Sequence, residues 1–331
     1  MPTPQFPPFP TLASPGSAVT PVSMLDLVGG TPVVPLRAVV SAGHARVLVK
    51  IESTNPTGSL KDRMALAMIE AARRDGRLLP GGAVVEYTGG STGVSLAFVC
   101  AALGHPLHIV SSDAFAREKL DHMRLLGARL EVVPSDGGRM TAALTHAMVD
   151  AARAIATRTG AFWTDQLRNA DQTRGYRRLA DELLAQTGGR LDAFVQSVGT
   201  AGSLRGVAEG LRASGSPARI IAVEPAESAV LSGGPSGAHR IDGVGAGFIV
   251  PLWDASLVHG IERVSTDEAR AMAFRLACEE AIFAGTSTGA NVVAALRIAS
   301  TLGPGAVVAT VMCDTGMKYL QNYGATLDRE A

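Results

Sequence analysis

Lysine is scarce in this chain: among 331 residues only Lys50, Lys61, Lys119 and Lys318 occur, and basic surface duty falls to arginine. Net charge is absent too, with 30 basic residues against 30 acidic ones. That balance removes the electrostatic footprint of a nucleic-acid binder or a membrane-surface protein. Cysteine is limited to Cys100, Cys278 and Cys313, an odd number set far apart, which excludes a disulfide framework. All three read as buried small hydrophobes in a reducing compartment. No apolar run approaches the ~18 residues of a membrane span. The first basic residue is Arg37, so neither a signal peptide nor an Arg-rich transit peptide is predicted. Together these absences point to a cytoplasmic protein without a nucleic-acid or membrane partner.

Glycine is plentiful, with 37 residues, as expected of a protein with many tight strand-to-helix turns. An apolar content of 47% supplies a large core, and the length suits about two domains. Seven of the first 21 residues are proline, so residues 1–22 read as a solvated tail of polyproline II character. The stretch from Gln321 onward is polar and reads as peripheral.

From residue 46 short β-rich runs alternate with helical segments. ARVLVKIES, AVVEY, LHIVSS, LEVVP, LDAFVQSV, ARIIAVEP and AVVATVMC read as strands, nearly continuous in their apolar character. LKDRMALAMIEAARRDG, VSLAFVCAALG and FAREKLDHMRLLG read as helices. Such alternation predicts parallel sheets covered on both faces, an α/β fold with a boundary near 155–165.

Three glycine-rich junctions share one chemistry: YTGGSTG (87–93), SVGTAGS (197–203) and AGTSTGA (284–290). Each is expected just beyond a strand, offering backbone N–H groups and hydroxyls at a helix N-terminus, where open α/β sheets bind anions. Three in one chain favour a small ligand with a phosphate or carboxylate. Lys119, in a charged amphipathic helix, reads as a solvated face residue. Lys61 differs, because it occupies the first turn of a helix opened by NPTGS (55–59). The positive helix end lowers the pKa of an ammonium there, and a neutral amine is what Schiff-base chemistry needs. No metal-ligand pattern is read.

NPTGSLKDR (55–63) resembles the lysine segment of the β-family, fold type II, pyridoxal-phosphate enzymes, the group of cysteine synthase and cystathionine β-synthase. LVGGTPVVPL (27–36), VEYTGGSTGVSLA (85–97), VGTAGS (198–203), residues 223–248, GTSTGA (285–290) and CDTGMKYL (313–320) are similar to its other blocks, in the same order. GVGAGF (243–248) and GMKYL (316–320) lean toward the cysteine-synthase branch. The resemblance implies two three-layer α/β domains, tryptophan-synthase-β-like: a large cofactor domain of 23–47 plus 160–331, and a small mobile domain of 48–159. It implies pyridoxal 5'-phosphate bound as a Schiff base to Lys61, with the phosphate held by Gly199, Thr200, Ala201, Gly202 and Ser203. Ser287 would face the pyridine nitrogen and Ser91 the ring oxygen. Thr88, Gly89, Gly90, Thr92 and Gln166 would bind the substrate carboxylate. A homodimer is implied as well.

The implied activity is β-replacement on an activated L-serine-type amino acid through an α-aminoacrylate, most simply O-acetylserine with sulfide. Serine or threonine dehydration and cystathionine synthesis share every motif. Two positions depart from the family pattern: Gly89 stands for a serine, adding room, and Ser91 for an asparagine. The segment 167–179 also matches poorly, so the donor or nucleophile is expected to differ from the usual pair. Two other classes are weighed against this reading. An NAD-dependent oxidoreductase would use the strand–glycine-turn–helix at 83–93 with Asp113, yet the G-x-G-x-x-G spacing is missing. A non-catalytic binding module is disfavoured by Lys61.

Overall fold

The computed structural model describes residues 23–137 and 141–320, and both the proline-rich stretch and the chain from Gln321 lie outside them. The chain enters through β1 (Val33–Pro35) and β2 (Arg46–Ile51), then α1 (Lys61–Arg74). An alternating run follows: β3 (Val84–Tyr87), α2 (Ser91–Leu103), β4 (Leu107–Ser112), α3 (Arg117–Leu125), β5 (Arg129–Val133), α4 (Ala142–Thr159) and β6 (Phe162–Trp163). The remainder comprises α5 (Gln172–Gln186), β7 (Ala193–Ser197), α6 (Gly202–Ala213), β8 (Arg219–Pro225), β9 (Gly260–Val264), α7 (Thr266–Glu280), α8 (Thr286–Ser300) and β10 (Val307–Met312).

Two sheets result. The first is ordered β1-β2-β10-β7-β8-β9 and the second β5-β4-β3-β6. Every pairing is parallel except that of β1 with β2. The α/β expectation is met in its parallel sheets and two domains. Sheet membership places β2 wholly in the six-stranded sheet, although the expected 47/48 boundary cuts it, and puts Phe162–Trp163 in the four-stranded one. β3, β7 and β10 are buried along their whole length, as parallel strands covered on both faces must be. β9 escaped the sequence reading because its GIERV pattern mixes charge into an edge position.

Helix α1 shows how the core is built. Met64, Ala65, Met68, Ile69 and Ala72 are fully buried on one stripe, and α1 packs against α2 and α5. Burial of this kind makes truncating a Met or Leu to Ala cost about 2–5 kcal/mol. α1 ends on Arg73 and Arg74, which suit the negative end of its dipole. Lys50, within β2, is fully buried and paired with Glu182 at 2.7 Å. Cys100 and Cys313 are buried as expected, whereas Cys278 lies on the outer face of α7 and is exposed.

Two of the three glycine junctions do follow strands, β3 and β7. The third does not. α7 is closed by Ala281 in the left-handed region (φ 56°), and the short apolar run before α8 makes only an isolated bridge, Ala284 with Thr315.

Candidate active site

The segment before α1 is held so that Lys61 begins the helix. Asp62, fully buried, accepts from Thr57 N (2.8 Å), Thr57 Oγ1 (2.5 Å) and Ser95 Oγ (2.6 Å), closing the 57–62 turn onto α2. Leu60 N donates to Cys313 O (2.9 Å) and Thr315 N to Gly58 O (3.0 Å), so the turn is laced to the end of β10. Gly58 is needed there: its φ is +74°, and a Cβ would lie 2.8 Å from Thr315 Cγ2. Arg63, two residues beyond Lys61, is buried between Glu52 (2.6 Å) and Glu182 (2.8 Å). Burial works against that charge and the two carboxylates outweigh it.

The Lys61 amine is held below the ordinary lysine range, chiefly by burial, with Cys313 and Asp314 pulling the other way. Desolvation, rather than the helix dipole invoked from sequence, is therefore the main cause.

The 88–93 turn opens α2 at the end of β3. Thr88 N donates to Val110 O (2.9 Å), and Thr88 Oγ1 accepts from Gly90 N (3.2 Å). Thr88, Gly89 and Thr92 are buried, and Gly93 is closed off by Met123 and Thr88, 2.7 Å from where a Cβ would stand. Ser91 Oγ donates to Asp314 Oδ2 (3.1 Å) and accepts from Lys318 Nζ (3.4 Å). The room expected at Gly89 is not there. A Cβ on Gly89 would coincide with the Phe115 ring, 1.9 Å from Cγ, so an aromatic side chain from the next turn fills that space. Gln166 reaches the same turn, its Nε2 donating to Tyr87 O (2.9 Å) and its N to Glu86 Oε2 (3.0 Å).

At the end of β7 the 199–203 turn runs into α6. Ala201 sits in the left-handed region (φ 67°), and a Cβ on Gly199 would meet Gly243 O at 2.3 Å. Thr200 Oγ1 donates to Gln172 Oε1 (3.0 Å), and Ser203 Oγ accepts from Gln196 Nε2 (2.7 Å). Among the described residues the N–H groups of Gly199, Thr200 and Ala201 have no protein acceptor, and buried Ser197 Oγ has no partner. A cradle of unspent donors at a helix N-terminus fits a phosphate group. Ser287, in the first turn of α8, is buried, and the neighbouring Thr288 Oγ1 accepts from Cys313 N (3.1 Å). Burial pushes the Cys313 thiol up to about 11. Asn291 donates to Val311 O (2.8 Å) and Cys313 Sγ (3.3 Å), fixing α8 on β10.

Hydrogen bonds thus tie Ser91 to Asp314, tie the Lys61 turn and the first turn of α8, which carries Ser287, to Cys313, and link Gln166 to Thr200 through Gln172. Lys119 is a correction. It is buried, with its Nζ 4.1 Å from the centre of the Tyr319 ring and 3.9 Å from Asp242 Oδ1. The amphipathic pattern of α3 placed it on the outer face, but a facing chain covers it. Sequence reasoning also missed Asp62, Phe115, Gln172 and Asp314. Asp62 and Asp314 lie inside quoted motifs, whereas Phe115 and Gln172 act through contacts that no local spacing announces.

Comparisons agree with this geometry. The profile of the family "Pyridoxal-phosphate dependent enzyme" matches residues 24–314. A cysteine synthase of Staphylococcus aureus is 40% identical over 300 residues, 90% of this chain and 95% of that protein. An O-ureido-L-serine synthase of Streptomyces lavendulae is 37% identical over 307 residues, 91% of each chain. The crystal structure of a cysteine synthase from Entamoeba histolytica superposes with a TM-score of 0.87 at 33% identity, covering 94% of this chain and 92% of that one. The lysine turn, the phosphate-fitting cradle and these likenesses agree: the chain belongs to the pyridoxal-phosphate dependent enzymes, as a fold type II member of the cysteine synthase type.

Proposed function

We propose that this enzyme replaces the β-substituent of an activated L-serine-type amino acid, with O-acetyl-L-serine and sulfide as the simplest pair. The observation that carries the reading is the placement of the Lys61 amine. It is desolvated at the start of α1, where the turn before it is bonded to Cys313 O, Cys313 N donates to the first turn of α8, and Asp314 accepts from Ser91 of the 88–93 turn. When bound, pyridoxal phosphate supplies an electron sink that makes an amino acid's α-proton removable. In this reading Gly199, Thr200, Ala201, Gly202 and Ser203 hold the phosphate, and Ser287 faces the ring nitrogen. Ser91 stands at the ring-oxygen side, where Asp314 and Lys318 orient its hydroxyl. Thr88, Gly89, Gly90, Thr92 and Gln166 bind the donor carboxylate. Lys61 Nζ, freed when the amino acid takes its place, accepts the Cα proton. An amine with a lowered pKa is suited to that exchange. A homodimer located in the cytoplasm belongs to the same proposal, on the likeness to cysteine synthases and the free thiols of Cys100 and Cys313.

The test is the visible spectrum of the pure protein before and after O-acetyl-L-serine, then sulfide. The expected result is a cofactor band that shifts with the donor and returns with sulfide, and no turnover from Lys61→Ala. A band that ignores O-acetyl-L-serine overturns the donor assignment. Wild-type turnover by Lys61→Ala overturns the role of the lysine.

A further inference from the structure

The juxtaposition of Gly89 and Phe115 has a consequence for which donor the site accepts. A side chain at 89 and the ring at 115 are mutually exclusive. The ideal Cβ of Gly89 falls 1.9 Å from Phe115 Cγ and Cδ2 and 2.0 Å from Cε2, far inside any contact real atoms make. The ring therefore stands in the volume a side chain on the turn would use. It is held there from two sides. Phe115 N donates to Ser112 O (3.3 Å) at the end of β4, and Ser112 Oγ accepts from Ala114 N (3.2 Å), so the 112–115 turn is braced. Asp113 Oδ1 also accepts from Ser135 N (2.7 Å), tying this turn to the chain beyond β5. The ring itself is half-buried against the apolar cluster of Val85, Tyr87, Val110 and Met148 beneath the 88–93 turn.

We infer that Phe115 is a specificity-determining residue of the donor-carboxylate turn, supplying as an aromatic wall what Gly89 lacks as a side chain. The inference rests on the proposed function of that turn. A turn with Gly89 offers a carboxylate its backbone N–H groups and the hydroxyls of Thr88 and Thr92, without a further hydroxyl at 89. The ring compensates by excluding water from that side, and in a less hydrated pocket each remaining hydrogen bond to an anion is stronger. Phe115 thereby suits the site to a free α-carboxylate on a small, three-carbon amino acid. It couples that preference to the position of α3, whose Lys119 reaches across to Tyr319 and Asp242.

A double-mutant cycle tests this on the holoenzyme, reading the donor-induced change of the cofactor band during titration with O-acetyl-L-serine, L-serine and L-cysteine, together with kcat and KM. Phe115→Ala is expected to leave the donor-free band unchanged and to weaken donor binding about tenfold, which corresponds to about 1.4 kcal/mol, with KM moving more than kcat. Gly89→Ser is expected to lose donor response in the wild-type background and to regain it when combined with Phe115→Ala. The recovery is the decisive outcome, since two merely harmful substitutions would add. If wild type responds to a donor and the cycle is additive, or Phe115→Ala binds donors as wild type does, the inference is overturned while the functional reading stands. If wild type responds to none of the three amino acids, the reading of the turn falls, and this inference with it.

Discussion

Thr200 donates its hydroxyl to Gln172 Oε1 at 3.0 Å, and through that bond the turn after β7 is tied to the segment that carries Gln166. The other end of the same buried amide donates to Gln166 O (2.7 Å) and Asn169 O (2.9 Å). Gln166 in turn donates to Tyr87 O at the start of the 88–93 turn. Two side chains, Gln172 and Gln166, thus connect the cradle that fits a phosphate with the turn that fits a carboxylate, across the two sheets. There is no slack in the arrangement: a Cβ on Gly202 would lie 2.0 Å from Gln172 Oε1.

Gln172→Ala should therefore act at a distance. It leaves the buried Gln166 carbonyl and the Thr200 hydroxyl without their partner, a loss of about 1–3 kcal/mol. Urea denaturation should show a drop of that size, and pyridoxal-phosphate titration of apoenzyme a weaker affinity. Unchanged cofactor affinity would show that the connection has no role in holding the turn.

Gly199→Ala should weaken cofactor binding by about tenfold or more, because its Cβ would stand 2.3 Å from Gly243 O and push the two turns apart. Gly303→Ala, where an added Cβ meets nothing, is the control and should bind as wild type does. Equilibrium dialysis with pyridoxal phosphate distinguishes them, and equal affinities would dismiss the cradle.

Glu86 makes stability depend on pH. Burial pushes its carboxyl from 4.5 up to about 7, against the hydrogen bonds from Thr164 Oγ1, Gln166 N and Tyr87 N. A folded-state pKa above the unfolded one means the native protein holds this proton more tightly. Its stabilising contribution is complete below about pH 4.5 and is lost as pH rises through about 7. At about 1.4 kcal/mol per pK unit the loss amounts to about 3.5 kcal/mol at most. Urea midpoints at about pH 5 and about pH 8 should fall with pH in wild type and fall less in Glu86→Gln. Parallel slopes would assign the pH dependence elsewhere.

Much of the architecture was legible because parallel strands buried on both faces leave continuous apolar runs. LHIVSS matches β4, and AVVEY and AVVATVMC bracket β3 and β10. What escaped were elements whose pairing is decided by position in the sheet: the antiparallel β1, the two-residue β6 and the charged edge strand β9. The third glycine junction was misread for a related reason. AIFAG has the composition of a strand end, but Ala281 turns the chain directly from one helix into the next.

Within the site, the local chemistry was set by the sequence itself. The NPTGSLKDR turn places an amine at a helix start and closes on itself through Asp62, whose carboxylate accepts from Thr57. SVGTAGS carries the left-handed residue and the glycines that leave N–H groups unspent. Only the tertiary structure decided how far the lysine is desolvated, which glycines are forced by a facing chain, and that Lys119 is buried against Tyr319. It alone decided that the space beside Gly89 belongs to Phe115. Backbone geometry and hydrogen-bonding capacity are properties of a short segment. Burial and excluded volume belong to whatever segment the fold brings opposite, and the sequence does not place that partner nearby.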